Sequence, residues 1–417
     1  MTRPVPARPS GGWRGLDRRQ RGVLGCTIAA NAVVFFDQTA VTVALPSIGR
    51  DLGGDALVLP WVVTSYLAAL AMFMVVAGRV ADRFGRRRTF LAGLALFAAG
   101  SVLCASAPSI GLLVAARFVQ GVGGAIVAPL ALSNTTRAVA DAQRGWAIGM
   151  FAAGGTALLV FGPLLAGLLL EVASWRWVFL VTLPVLLAAW IVGRRCITPS
   201  RGAADAPGTS WATLRDPLLL ASLAALFAIE FAVFGATVPL TLYLQHGLEQ
   251  SAVTAGVLIA LAGIGTPLLS VTAGRVSDRR GPRTLVVGGL VLAAAGLALL
   301  ALLAPIGGVA PLIPGLAAFA LARPAVFTPA GTGPFLALGD GQRAFAASLG
   351  TEARQCGAVL GAAVAGAVFA EVNGPALVDG DVTQVAGFVA SVVVAAVVCA
   401  AAGAAAWRWL PRTSTPS

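Results

Sequence analysis

Apolar residues gather in long runs, and polar residues gather in the short stretches between them. A helix needs about 20 predominantly apolar residues to cross hydrocarbon. Twelve runs reach that length, near 22–46, 58–79, 88–107, 111–136, 144–170, 175–194, 217–244, 252–274, 284–304, 310–338, 344–370 and 384–407. The connections are short, apart from 195–216. That stretch holds Pro199, Ser200, Arg201, Pro207 and Gly208 and reads as a linker. The pattern predicts an all-α membrane protein with twelve transmembrane helices. Its parts are a tail at 1–21, a six-helix half at 22–194, the linker at 195–216, a second six-helix half at 217–407 and a tail at 408–417.

One polar stretch occurs twice. Gly78-Arg-Val-Ala-Asp-Arg-Phe-Gly-Arg-Arg-Arg88 returns as Gly274-Arg-Val-Ser-Asp-Arg-Arg-Gly-Pro-Arg283. Gly78, Asp82 and Gly85 match Gly274, Asp278 and Gly281 at a constant offset of 196 residues. Apolar runs flank both copies, so the chain reads as a duplication. Six runs separate the copies, an even number, so both loops lie on one side of the membrane. The halves are then parallel repeats about an axis along the membrane normal.

Composition agrees. The 417 residues are 58% hydrophobic and 11% charged, too apolar for a soluble protein of this length. The net charge of +12 comes from 29 basic residues, all arginine. Their placement sets orientation. With the amino terminus inside, inner loops and tails hold all of them except Arg50 and Arg176 in outer loops and Arg117, Arg323 and Arg354 within spans. Arginines placed this way point to a lipid bilayer as partner and exclude nucleic acid. The reading is a multi-pass protein of the cell membrane with both termini cytoplasmic. The five cysteines are scattered, giving no disulfide or metal framework. The first apolar run is too long for a signal-peptide core, contains Asp37 and reads as a retained span.

Small residues four apart, such as Gly121 and Ala125 or Gly162 and Ala166, predict close helix packing. The tenth run carries Pro311, Pro314, Pro324, Pro329 and Pro334, which predicts a kinked or locally unwound helix. Trp175 and Trp177 read as part of an interfacial aromatic belt.

Ionisable groups inside the hydrocarbon are costly and mark functional candidates. They are Asp37, Glu230 and Glu352 among the acids, with Arg117, Arg323 and Arg354. A carboxyl can take up and release protons when its affinity for them changes with its surroundings. Burial raises that affinity and a nearby arginine lowers it. Asp37 is the first candidate, then Glu230, then Glu352. Each has a structural alternative: helix packing for Asp37, an arginine partner for Glu230. Glu352 and Arg354, two residues apart, point to different helix faces and are not expected to pair. Arg117 needs a partner, either backbone carbonyls or a carboxylate. In the basic loop, Gly85 permits a tight turn and Gly78 a close helix approach. Asp82 lies near a helix end, where it can pair with arginines across the interface between halves and hold the inner side closed. Arg83, Arg86 and Arg87 belong to the same gate, and the second copy has Pro282 where the first has an arginine.

The loop Gly78–Arg88 resembles the hallmark loop of the major facilitator superfamily. Further stretches resemble that family in order and place. Arg117-Phe-Val-Gln-Gly-Val-Gly-Gly-Ala125 looks like its fourth-helix arginine motif. Gly154, Gly155, Gly162, Pro163 and Gly167 look like the fifth-helix antiporter motif of exporters, with Ala166 in place of the first glycine of its usual closing pair. Asp37 through Pro46 resembles the first-helix motif of the drug:proton antiporter branch that usually has fourteen spans, though this chain has room for twelve. Leu242–Gln245 and Arg354–Gly357 resemble weaker landmarks of that branch. The resemblance implies a proton-coupled antiporter that exports small amphipathic compounds by alternating access. It adds weight to Asp37 and gives Arg117 a proton-relay role. It also implies a central cavity whose candidates here are Phe35, Trp61, Ser65, Tyr66, Gln120, Phe231, Phe234, Tyr243 and Gln245. The partners expected are a small-molecule substrate and protons, with a monomeric chain and no cofactor or metal. Metabolite uptake or exchange on the same fold is the rival reading, and a non-transporting sensor a weaker one. A membrane enzyme is disfavoured because the single histidine, His246, has no metal or nucleophile cluster around it. An ATP-driven pump lacks a phosphate-binding loop.

Overall fold

The structure, a computed structural model, describes residues 13–53, 58–140, 143–199, 216–336, 340–373 and 383–410. In hydrocarbon every backbone N–H and C=O needs an internal partner, which a continuous helix supplies. The first half holds α1 (Arg18–Leu52), α2 (Trp61–Phe84), α3 (Arg86–Ala105), α4 (Ile110–Ala138), α5 (Arg144–Val172) and α6, formed by Arg176–Leu180 and Leu183–Cys196. The second half holds α7 (Pro217–Leu242), α8, formed by Ala252–Gly263 and Gly265–Arg280, α9 (Pro282–Leu303), α10 (Ile313–Leu336), α11 (Asp340–Asn373) and α12 (Thr383–Trp409). Among the described residues eleven helices are long and apolar enough to span a membrane, and α2 makes twelve when its two bent segments count as one span. α7 ends in a π-helical turn, Tyr243–Gly247.

Helix starts carry their own signals. Asp17 caps α1 reciprocally with Gln20, accepting from its backbone N–H at 2.7 Å while its own N–H donates to Oε1 of Gln20 at 2.9 Å. Asp216 caps α7 and Ser251 caps α8. The two copies of the basic loop make the same turn. Gly85 has φ 92° and ψ 133°, and Gly281 has φ 78° and ψ 158°, conformations that a side chain would strain. That shared geometry joins α2 to α3 and α8 to α9.

Packing repeats as well. In the first half α1 packs on α5 and α6, α2 on α4, and α3 on α4. In the second half the equivalent pairs α7 with α11 and α12, α8 with α10, and α9 with α10 are all in contact. The halves meet chiefly through α5 against α8 and α2 against α11. These approaches run from mid-depth to the end away from the termini. A Cβ built on Gly167 of α5 would lie 2.5 Å from the Ala252 carbonyl oxygen of α8, and one on Gly256 would lie 2.4 Å from the Pro163 carbonyl oxygen. Gly366 of α11 meets Pro60 ahead of α2, and Gln245 Nε2 donates across to the Val43 carbonyl at 3.0 Å. The molecule is held shut at that end.

Three local expectations need correction. Of the two expectations for the tenth run, local unwinding is not seen: α10 runs as one helix through Pro324, Pro329 and Pro334, while Pro311 sits in a preceding 3-10 turn and Pro314 in the first helical turn, where no intrahelical N–H is lost. Trp175 is not at a lipid interface. It is 3% exposed, and its indole N–H donates to Asp51 at 2.9 Å; Trp177 alone is exposed. Among the described residues nothing lies within 4 Å of a Cβ built on Gly78, so that glycine makes no close approach to any of them in this conformation.

Candidate functional site

Five of the six candidate intramembrane charges, all but Glu352, collect into two networks, one in each half. In the first, α1 supplies Asp37 and α4 supplies Arg117 and Gln120, one turn apart on the same face. Arg117 Nη1 meets Asp37 Oδ2 at 2.5 Å and Gln120 Oε1 at 2.5 Å, while Nε donates to the Val62 carbonyl of α2 at 3.0 Å. Gln120 Nε2 donates to Asp37 Oδ1 and to Ser101 Oγ, both at 2.9 Å. Both carboxylate oxygens of Asp37 are thus engaged. The guanidinium lies 4.1 Å from the Tyr66 ring centroid, and both members of the ion pair are fully buried. Arginine suits this place because its planar fork can serve a carboxylate, an amide and a carbonyl at once.

The second network repeats the plan with an addition. Glu230 of α7 meets Arg323 of α10 at 3.0 Å, as Asp37 of α1 meets Arg117 of α4. Arg354 of α11 reaches the same carboxylate oxygen at 3.3 Å and lies over the Phe327 ring at 4.4 Å. Glu230 and Arg323 are buried, but the Arg354 side chain is 23% exposed. Glu352 is half-buried and, as its spacing predicted, is not paired with Arg354.

The fifth-helix motif is a packing surface. A Cβ on Gly154 would meet Ile28, one on Gly155 would meet Asn31 and Phe35, and one on Gly162 would meet Thr39, all on α1. Pro163 and Gly167 turn to α8 instead. The motif therefore seats α5 against the helix that bears Asp37 and against the opposite half.

The gate residues are split. Among the described residues Asp82 is ion-paired with Arg86 of its own loop at 3.4 Å and with no arginine across the halves. Arg86 also donates to Ser133 at 2.6 Å, Arg87 to the Arg194 carbonyl, and Arg83 lies over Phe84. The side chain of Asp278 falls outside the described residues, while Gly274 lies near Thr328. Of the cavity candidates, Tyr66, Gln120 and Tyr243 are fully buried. The Tyr243 hydroxyl donates to the Ala304 carbonyl at 2.8 Å and its ring stacks on Phe388. Phe231 and Phe234 are buried, Ser65 is buried, Phe35 is half-buried and Trp61 is 53% exposed.

Sequence reasoning marked Arg323 and Arg354 only as intramembrane charges, without assigning their partner, and touched Gln355 only as part of a landmark stretch. Gln355 accepts from Gln38 Nε2 at 3.4 Å across the halves. The signal for Arg323 was its place on the fourth helix of its half, the same place as Arg117.

The family model described as the Major Facilitator Superfamily matches residues 27–360 and 220–417. The chain belongs to the Major Facilitator Superfamily. Within this superfamily of transporters, the chain is 32% identical over 363 residues to "Multidrug resistance protein B homolog" of Mycobacterium tuberculosis, covering 70% of this chain and 67% of that one. It is 36% identical over 361 residues to the puromycin resistance protein pur8 of Streptomyces alboniger, covering 71% and 70%. It is 29% identical over 355 residues to the tetracenomycin C resistance and export protein of Streptomyces glaucescens, covering 70% and 65%. Solved structures share the fold. A bacterial homologue of the human lysosomal transporter Spinster, inward-facing and occupied, gives a TM-score of 0.78 at 21% identity over 95% of this chain and 98% of that one. The nucleoside transporter NupG gives 0.70 at 13% identity over 91% and 99%.

Proposed function

We propose that this superfamily member is a proton-coupled antiporter that exports small amphipathic compounds, drugs or a natural product, by alternating access. The observation that carries the proposal is the Asp37–Arg117–Gln120 network. It is a fully buried carboxylate bonded to an arginine on a different helix. Separating α1 from α4 would leave Asp37 in a low-dielectric site without its cation, and it would take up a proton there. Bringing the helices together again would expel it. Each proton entering down a 100 mV potential contributes about 2.3 kcal/mol. A tenfold substrate gradient costs about 1.4 kcal/mol, so one or two protons suffice. Export is supported by the names of the relatives, which are resistance and export proteins, and by a fifth-helix motif fitted closely to α1 and α8.

In this reading the halves are 22–194 and 217–407, the chain is a monomer in the cell membrane, and both termini are cytoplasmic. The conformation closed away from the termini is then the inward-open one. Asp82, bonded within its own loop here, would reach across to the other half when the inner side closes.

The test uses inverted vesicles with an imposed pH gradient, lipophilic cations and neutral and acidic aromatic compounds, and follows proton release beside substrate accumulation. Coupled transport in the wild type that vanishes in Asp37→Asn supports the proposal. Loss in Glu230→Gln alone would move the coupling site to α7. Transport with no proton movement would replace the antiporter by a uniporter or metabolite exchanger.

A further inference from the structure

A second polar site lies apart from both buried networks, at the end of the first half that bears the amino terminus. The start of α1, the start of α3, the end of α4 and the end of α6 enclose a cavity of about 620 Å³. Arg19, Arg86 and Arg137 line it, with Asp17, Gln20, Asn134 and Thr198. Two of the arginines are fixed by neutral groups. Arg19 Nε donates to the Cys196 carbonyl at 2.8 Å and Nη2 to Thr198, and Arg86 donates to Ser133. Arg137 makes no ion pair among the described residues. The acidic counterweight is small. Asp17 is committed to capping α1, and Asp82 reaches Arg86 only at 3.4 Å. An independent sign comes from Asn134. It is 6% exposed, it lines the cavity, and its buried amide nitrogen has no hydrogen-bond partner. A buried donor left unpaired is costly, and here it stands among three cations.

We propose that this cavity is a binding site for a phosphate group, a phosphodiester or phosphomonoester anion held by Arg19, Arg137 and the Asn134 amide with Arg86 at its edge. Guanidinium groups and an amide N–H donate to phosphate oxygens in charge-assisted hydrogen bonds. Two sources offer that chemistry at this depth: the headgroup of an anionic phospholipid, for which basic pockets between transmembrane helices are suited, and a free phosphate. Arg86 is also the partner of Asp82 in the basic loop. A phosphate that draws on Arg86 loosens that ion pair, so occupancy bears on the loop joining α2 to α3.

The experiment uses the full-length protein, purified and delipidated. Native mass spectrometry compares retention of phosphatidylglycerol and phosphatidylcholine. Thermal unfolding is followed with inorganic phosphate against chloride at matched ionic strength. The variants are Arg137→Gln, whose exposed side chain is not needed for folding, Asn134→Leu, and Arg275→Gln as an exposed arginine in the other half. The expected result is preferential retention of phosphatidylglycerol that falls about fivefold in Arg137→Gln, the worth of one basic residue against an anionic headgroup. It should fall also in Asn134→Leu and be unchanged in Arg275→Gln; that pattern assigns the site to a lipid. A phosphate-specific rise in unfolding temperature, lost in the same two variants, assigns it to a free phosphate. Equal retention of both lipids with no phosphate effect overturns the proposal. So does a loss that is as large in Arg275→Gln.

Discussion

The two buried networks stand on the same scaffold and differ in what they expose. In each half an acid on the first helix meets an arginine on the fourth, Asp37 with Arg117 and Glu230 with Arg323. The first is electrically balanced, bonded to Gln120, Ser101 and the Val62 carbonyl with only Arg117 Nη2 left unpartnered, and sealed. The second holds one carboxylate against two arginines, and the added cation, Arg354, is partly open to the surroundings. A sealed balanced pair can change its protonation only when its helices move apart. A pair with an exposed surplus cation can meet a solute without any rearrangement. Under the proposed antiporter, the two networks would divide the labour, with coupling in the first half and solute contact in the second.

The largest effect expected is at the sealed pair. Asp37→Asn should abolish proton-coupled transport and lower stability by about 3–5 kcal/mol, because a buried arginine loses its counter-charge. Thermal unfolding in detergent beside vesicle transport would measure both. Asp37→Asn combined with Arg117→Gln should recover much of that stability and none of the coupling. Recovery of coupling in the double variant would end the distinction between the networks. Next, Gly85→Ala and Gly281→Ala should each cost about 1–3 kcal/mol, since both sites hold a backbone conformation that a side chain strains. Similar unfolding shifts in the two would show the halves equivalent in scaffold, leaving the networks as the difference. The smallest stability effect should come from Arg354→Gln, about 1 kcal/mol or less, as for a partly exposed pair. Its functional mark should be selectivity: the apparent KM for acidic aromatic compounds rises while that for cationic ones falls, measured by competition in vesicles. Unaltered selectivity would remove solute contact from the second network.

Much of the scaffold was legible because the bilayer leaves few choices. Run length gave the spans, while the orientation read from arginine placement belongs to the proposal. The repeated loop exposed the duplication, since Gly85 and Gly281 answer the same backbone demand. Partners were harder to read, because they depend on helix rotation and on the register between helices, which no local pattern encodes. The 196-residue offset carries Asp37 onto Val233, one turn from Glu230, but carries Arg117 onto Ile313 at the start of α10, far from Arg323. The equivalence of the two arginines emerges only when helices, and not residues, are aligned. Trp175 misled for a related reason. Its sequence neighbourhood is interfacial, yet the Asp51 carboxylate draws its ring inward from another helix.

The contact between α5 and α8 carries a mechanical consequence. At Gly167 and Gly256 the helices touch backbone to backbone, with no side chain between them. Such a surface has no rotamers to unlock and no interdigitated teeth to lift over. Two smooth cylinders can roll while staying in touch, so under alternating access the joint would act as a bearing, and a single added methyl at either glycine would put grit in it.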